Sequence, residues 1–191
     1  MSNQTVNSGG RLAVALVHGP VMDRHGGEQT TALTNLDVHD IARSSRTYDV
    51  AAFYIVTPIA AQMEQARHIV GFWEGELGQK RNKDRTEAMS RVVIVPSVEA
   101  AVAAEAQKTT KRSLLVATSA KPQGAVPYAE MRTRIDGGDD VLLLFGTGHG
   151  LAPSVLAACD VVLAPVNGPD GWNHLSVRSA AAIILDRLRG S

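Results

Sequence analysis

The sequence predicts an α/β protein, a three-layer sandwich around a mainly parallel six-stranded sheet. Six short apolar runs recur along the chain, each bounded by Gly, Pro, Ser or Asp, and segments of helical period separate them. One run, Val141 to Phe145, empties directly into Gly146-Thr147-Gly148-His149-Gly150. Short runs that are apolar at every position mark strands buried on both faces, as parallel strands are. Alternation of such strands with helices implies right-handed β-α-β crossovers.

In chain order, strands are expected over 12–18, 51–56, 91–95, 113–117, 141–145 and 160–163. Helices are expected over 36–48, 59–74, 98–108, 128–136, 151–158 and 174–189. Asn35 and Ser97 are the candidate N-caps, because their short polar side chains can accept from the first free amides. Pro58 and Pro153 suit first-turn positions, where no amide hydrogen is needed. Residues 1–10 are polar, without a basic and apolar leader pattern, and read as a disordered tail. That leaves 11–191 as a single domain, with no linker, repeat or low-complexity tract.

With 191 residues and 45% hydrophobic content, the chain can bury one good core. Nineteen basic and nineteen acidic residues balance, which argues against coating nucleic acid by bulk charge while leaving local basic patches open. The lone Cys159 excludes a disulfide framework, and the histidines lack paired spacing for zinc, so no metal is expected. No apolar run approaches membrane-spanning length, and a cytoplasmic protein without membrane contact is expected.

A strand that ends in a glycine-rich turn brings main-chain amides close to a ligand, as α/β proteins do for nucleotide-like cofactors. Conventional dinucleotide and methyltransferase folds place this turn after the first strand, whereas here it follows the fifth. A phosphate-binding P-loop would continue Gly-Lys-Ser/Thr, but Gly150 is followed by Leu151-Ala152.

The late turn belongs to a longer pattern: Phe145 to Leu151, then Cys159-Asp160, Ala164-Pro165-Val166, and Asn173-His174-Leu175-Ser176-Val177-Arg178-Ser179-Ala180. These segments resemble, in order and spacing, the motifs of the SPOUT RNA methyltransferases. Asn35-Leu36-Asp37-Val38-His39-Asp40-Ile41-Ala42-Arg43 resembles that family's first motif, an Asn followed eight residues later by an Arg facing the catalytic cleft. The resemblance spans about 12–189. It implies a C-terminal trefoil knot, S-adenosylmethionine as cofactor, an RNA substrate such as tRNA or rRNA, and a homodimer whose active site lies across the subunit interface.

It also assigns the cofactor to three loops: Thr118-Ser119-Ala120; Phe145-Gly146-Thr147-Gly148-His149-Gly150; and Ala164-Pro165-Val166 with His174-Leu175-Ser176. Arg43 is the candidate catalytic residue, lowering the acceptor pKa or orienting a phosphate; the plainer reading is a surface arginine. Arg178 reads either as a contact to RNA phosphate or a partner subunit, or as a helix ion pair. His149 and His174 bracket the proposed pocket as possible proton carriers or simple polar loop residues.

Two departures leave the acceptor atom open. Ribose 2′-O members usually carry a Glu in the glycine motif and an Asn then a Ser in the last motif, where this chain has Gly148, Ser176 and Arg178. For the guanine-N1 branch the available carboxylate is Asp170, which equally reads as a turn former before Gly171. A protein that binds adenosylmethionine or RNA without catalysis is therefore a competing expectation, as is a nucleotide-binding regulator. Lys80, Arg81, Lys83, Arg85 and Arg91, following Phe72 and Trp73, form either an RNA contact or a solvated connection.

Overall fold

The computed structural model describes residues 9–191. The principal sheet comprises β1 (Leu12–Val17), β4 (Ala52–Val56), β5 (Val92–Val95), β6 (Leu114–Thr118), β7 (Val141–Gly146) and β8 (Val161–Leu163), all paired in parallel. Their spatial order is β5-β4-β1-β7-β6-β8. All six strands stand where the apolar runs predict them, with ends moved by a residue or two. β1 and β4 are buried at every position, which is why they read as uninterrupted apolar runs.

Side chains alternate between two cores, one on each face of the sheet. Leu12, Val14, Leu16, Phe53, Ile55, Leu143 and Phe145 share one core with α1 (Asn35–Thr47), α2 (Ala60–Glu74), α6 (Tyr128–Asp136) and α8 (Val177–Arg189). Ala13, Ala15, Val17, Tyr54, Val56, Leu142 and Leu144 face α5 (Val98–Ala106) and α7 (Pro153–Ala158). This is the expected three-layer sandwich.

Local chemistry moved several boundaries. Thr34, not Asn35, caps α1: its Oγ1 accepts from the Asp37 amide at 3.2 Å. Ser97 caps α5 as expected, accepting from Ala100 N at 3.2 Å. Pro153 occupies the first turn of α7, but Pro58 lies ahead of α2, whose cap is Ile59. Helix α7 starts two residues later than expected because Leu151 pairs with Val21 as a β-bridge. Helix α8 starts at Val177, where Ser176 accepts from the Ser179 amide at 3.3 Å. Of the expected tail, residues 1–8 lie outside the described residues. Gly10 is buried and its amide donates to Ile135 O at 2.6 Å, so the packed chain begins before residue 11.

Two features escaped the sequence pattern. A hairpin of β2 (Val21–Met22) and β3 (Glu28–Gln29) stands between β1 and α1. The segment after Trp73 is helical: α3 (Glu76–Arg81) is followed by α4 (Lys83–Met89), which Asn82 caps by accepting from Arg85 N at 2.9 Å.

Strand β8 has an unusual neighbourhood. One edge pairs with β6; the other is bonded to Val126, whose amide donates to Val162 O at 2.8 Å and whose carbonyl accepts from Ala164 N at 2.9 Å. Both flanks thus come from one continuous stretch of chain, 114–126.

At the opposite end of the sheet Glu105 is 1% exposed and fully engaged. Arg11 Nε donates to Oε2 at 2.7 Å, Arg11 Nη2 to Oε1 at 3.1 Å, and Tyr54 Oη to Oε1 at 2.6 Å. Burial alone would raise the Glu105 pKa, but the Arg11 and Tyr54 hydrogen bonds outweigh it and hold the carboxyl below its ordinary value. A depressed carboxylate pKa adds stability above the unfolded value, which is lost as pH falls. Glu105→Ala should cost about 2–3 kcal/mol in urea denaturation at pH 7, since it strands a half-buried guanidinium and a buried hydroxyl. Below pH 4.5 the gap between variant and wild type should narrow.

Candidate functional site

The carboxyl ends of β7, β6 and β8 are adjacent, and the three expected cofactor loops leave from them. Ligands of open α/β sheets collect at this edge. The loop after β6 is tied to the loop after β8 by Asn173, whose Nδ2 donates to Ala120 O at 2.5 Å and to Asn167 Oδ1 at 3.2 Å. Thr118 Oγ1 donates to Leu144 O at 2.8 Å, joining the ends of β6 and β7, and Ser119 Oγ accepts from Lys121 N at 3.2 Å. Val166 packs against the core, while Leu175 is 40% exposed, so the apolar wall is open on its outer side. The Phe145 ring belongs to the core, which leaves only its main chain to face a ligand.

The turn at 146–150 owes its shape to glycine. A Cβ at Gly146 would overlap the Leu151 amide and the backbone of Gly150. Gly148 and Gly150 hold φ of 60° and 107°, in the left-handed region that other residues adopt only with strain. Nothing lies within 4 Å of the Cβ position of Gly150, and Gly148 and His149 are exposed. The turn therefore presents bare main chain on its open side, a surface suited to reading an adenine edge through amides and carbonyls. These loops fit adenosylmethionine on that ground.

Beneath the turn runs a hydroxyl relay. Thr147 Oγ1 donates to Val17 O at 3.0 Å, so it accepts from Thr31 Oγ1 at 2.5 Å. Thr31 then accepts from His18 Nδ1 at 3.2 Å, which assigns the Nδ1–H tautomer. His18 is fully buried, its Nε2 has no partner among the described residues, and burial holds its pKa below the ordinary histidine value. The relay fastens β1, the β3–α1 connection and the glycine turn together. Sequence reasoning missed His18 and Thr31. Their pairing spans the hairpin and carries no periodic signal.

The other candidates fall into separate places. Arg43 is exposed on α1 and lines an open groove of about 550 Å³ with Ser44, Tyr48, Ser176 and Arg178, between α1 and α8. Arg178 pairs with Asp37 at 3.4 Å and Asp40 at 3.5 Å, so in this arrangement it pins α8 to α1. None of the glycine turn lines that groove. Asp170 is exposed and folds its own loop, Oδ1 accepting from Trp172 N at 3.1 Å ahead of Gly171 at φ 84°. His174 is exposed and meets the edge of Trp172, itself 68% exposed and overlooked in the sequence. In the basic segment Lys80 pairs with Glu76 at 2.5 Å, Arg85 stacks over Trp73 at 5.0 Å, and Arg91 binds Asp49 at 3.3 Å. Burial raises the Cys159 thiol pKa to about 11, which leaves it protonated at neutral pH. Among the described residues, no helix is long and apolar enough to cross a membrane, and no cluster of metal-ligating side chains occurs.

A parallel α/β sheet with three tied loops at the carboxyl ends of its later strands defines a cofactor-binding domain. The chain belongs to the SAM-dependent RNA methyltransferase family, whose model matches residues 11–190, and its cofactor is S-adenosylmethionine. It is 46% identical over 182 residues to a tRNA (guanine-N(1)-)-methyltransferase of Nitratidesulfovibrio vulgaris, an alignment covering 95% of this chain and 43% of that protein. The chain thus spans less than half the length of that relative. It is 40% identical over 177 residues to an uncharacterized protein of Aquifex aeolicus, covering 92% of this chain and 86% of that one. The fold is shared with the SpoU methyltransferase AviRb of Streptomyces viridochromogenes, solved in complex with AdoMet, at a TM-score of 0.57 and 18% identity over 94% of this chain and 57% of that one.

Gly148 marks the main departure from the resemblance, and the structure gives a steric reason for it. A Cβ there would stand 3.2 Å from Thr31 Cγ2 and 3.6 Å from both Gln29 Nε2 and Met22 O. A side chain at 148 would thus begin in tight contact with the Thr31 methyl and beside the hairpin. Gly148→Ala should cost about 1–2 kcal/mol, part strain and part crowding. In a Thr31→Ser background, which removes the crowding methyl, thermal unfolding should show a smaller cost, closing a double-mutant cycle with favourable coupling.

Proposed function

We propose that the protein transfers the methyl group of S-adenosylmethionine to a nucleotide of RNA, tRNA being the first substrate to test, as a homodimer with each active site at the subunit interface. The observation that carries this reading is the meeting of the three loops at the ends of β7, β6 and β8, with bare main chain at 146–150. The cofactor supplies an activated methyl on a sulfonium, so the protein's work is alignment and, for a hydroxyl or ring-nitrogen acceptor, management of one proton.

In this reading, main-chain groups of Ser119, Ala120, Gly146, Gly148 and Gly150 hold the adenosine moiety, with Ala164, Pro165, Val166 and Leu175 forming the apolar side. Arg43 approaches from the partner subunit and holds acceptor or phosphate by charge. Support for the shared site comes from the α1–α8 face. Its groove carries Arg43, Arg178 and Ser176 away from the glycine turn of the same chain, and Leu36 and Leu175 expose 60% and 40% of their surface beside it. Support for a trefoil knot comes from β8, which runs between β6 and Val126 and then continues through 164–176 to α8.

The tRNA assignment leans on the name of a relative that this chain covers only in part. The acceptor atom stays open: Asp170 is folded into its own turn, and Gly148 brings no carboxylate. The same two positions favour the second reading, a knotted protein that binds adenosylmethionine or RNA without transfer.

Three measurements test the proposal together. Calorimetry should give micromolar or tighter binding of adenosylmethionine and none of ATP, and light scattering at micromolar concentration should give a dimer. Methyl incorporation into bulk tRNA should fall at least tenfold in Arg43→Ala, with adenosylmethionine affinity within threefold of wild type. Equal incorporation would remove Arg43 from the chemistry; cofactor binding with no incorporation into any RNA fraction would favour the second reading.

A further inference from the structure

We propose that the β2–β3 hairpin is an RNA-reading arm, in which Gln29 contacts the acceptor nucleotide beside the glycine turn and Arg24 at the tip holds a backbone phosphate. The proposal rests on the reading of residues 146–150 as the cofactor turn.

The root of the hairpin is fixed to that turn. Met22 N donates to Gly150 O at 2.9 Å, His149 N donates to Met22 O at 3.3 Å, and Val21 bridges Leu151. Ser154 at the start of α7 adds a bond to Glu28 at 2.5 Å. The arm therefore cannot move far without the turn moving too. Its tip is folded by its own polar groups: Asp23 Oδ1 accepts from His25 N at 2.7 Å and Gly27 N at 2.8 Å, with Gly26 at φ 85°. Those amides hold one oxygen of the Asp23 carboxylate within the turn. Arg24 is exposed and donates through Nε to a ring nitrogen, His25 Nε2, at 3.0 Å rather than to a carboxylate, which leaves its positive charge available at the tip.

Gln29 occupies the informative position. Its Nε2 stands 3.6 Å from where a Cβ of residue 148 would be, and it is exposed. The hairpin thus puts an uncharged carboxamide next to the turn, at a position where the turn itself carries no side chain. A carboxamide offers donor and acceptor together, the pattern that reads base edges, and does not titrate, so it orients the acceptor without exchanging its proton. A guanidinium at the tip suits phosphate, which positions RNA without reading sequence.

The test uses full-length Arg24→Ala and Gln29→Ala, both changes at exposed side chains, with bulk tRNA from cells lacking the gene as probe. Arg24→Ala should weaken tRNA binding and flatten the slope of log affinity against log salt by about 0.7–0.9, the loss of one phosphate contact. Gln29→Ala should keep that slope and lower kcat for methyl transfer about tenfold. Both variants should bind adenosylmethionine within twofold of wild type. An unchanged salt slope in Arg24→Ala, an unchanged kcat in Gln29→Ala, or a Gln29→Ala variant that loses the cofactor would each overturn the proposal while leaving the cofactor reading intact. A wild-type protein that binds no adenosylmethionine would overturn that reading and this one with it.

Discussion

Strand β8 is held on both edges by one continuous stretch of chain, and the candidate site depends on that constraint. Its three residues pair with β6 on one side, while Val126, from the connection that follows β6, bonds both flanks of Leu163 on the other. A three-residue strand has little hold of its own. Flanked on both edges, it fixes where the chain re-emerges, and so where Ala164, Pro165 and Val166 stand against the ends of β6 and β7. The Asn173 bond to Ala120 ties the loop after β6 to the segment that leads into α8. Everything beyond it follows: Ser176 can start α8 only where the chain comes out, and α8 then lies along α1, with Arg178 between Asp37 and Asp40.

The glycine turn is limited from both directions, and this explains why side chains are disfavoured along it. On the inner side Gly146 abuts Leu151, and Thr147 is bonded through its hydroxyl to Val17 and Thr31. On the side of the hairpin Gly148 meets Thr31, Gln29 and Met22. The missing acidic residue at 148 is therefore not a simple loss. The hairpin between β1 and α1 stands against that position and brings its own polar groups to that edge. Fastening the turn through half-buried hydroxyls and a buried His18 also keeps its geometry independent of any ion pair, and a pre-formed cradle loses less ordering entropy on binding.

The physical basis of each feature decided whether the sequence revealed it. The six strands and two cores were legible because burial on both faces demands apolar residues at every position, and 141–145 shows this without a polar break. Helix α6 was legible to the residue, with Gly137 and Gly138 to stop it. The tight turn after β7 was legible because glycine at 146, 148 and 150 marks main chain that needs positive φ or close approach. The hairpin was not: its strands are two residues each, and Asp23 to Gln29 holds no apolar side chain, so no period-two pattern exists to detect. Helices α3 and α4 were hidden by Gly75 and Gly78 and by short length, since packing against Trp73 stabilises them more than propensity does. The cap of α1 was misplaced by one residue because Thr34 and Asn35 are both good caps, and only the carboxylate of Asp37, bonded to Thr34 Oγ1 at 2.6 Å, decides between them.

The same reasoning separates the roles of α1. Its first turn is committed to structure: Thr34 and Asp37 close the helix start, and Asp37, 8% exposed, takes Arg178. Its later turns are open, and Arg43 stands there among hydroxyl groups and the charges of Asp40 and Arg178. An exposed arginine next to an already engaged ion pair gains little stability for its own chain. Its charge gains value where solvent is displaced, against RNA or a second subunit, because a guanidinium in a drier site interacts more strongly with phosphate or a developing negative charge. The α1–α8 face therefore divides its two arginines: Arg178 holds the helices together, and Arg43 is left for whatever covers the groove.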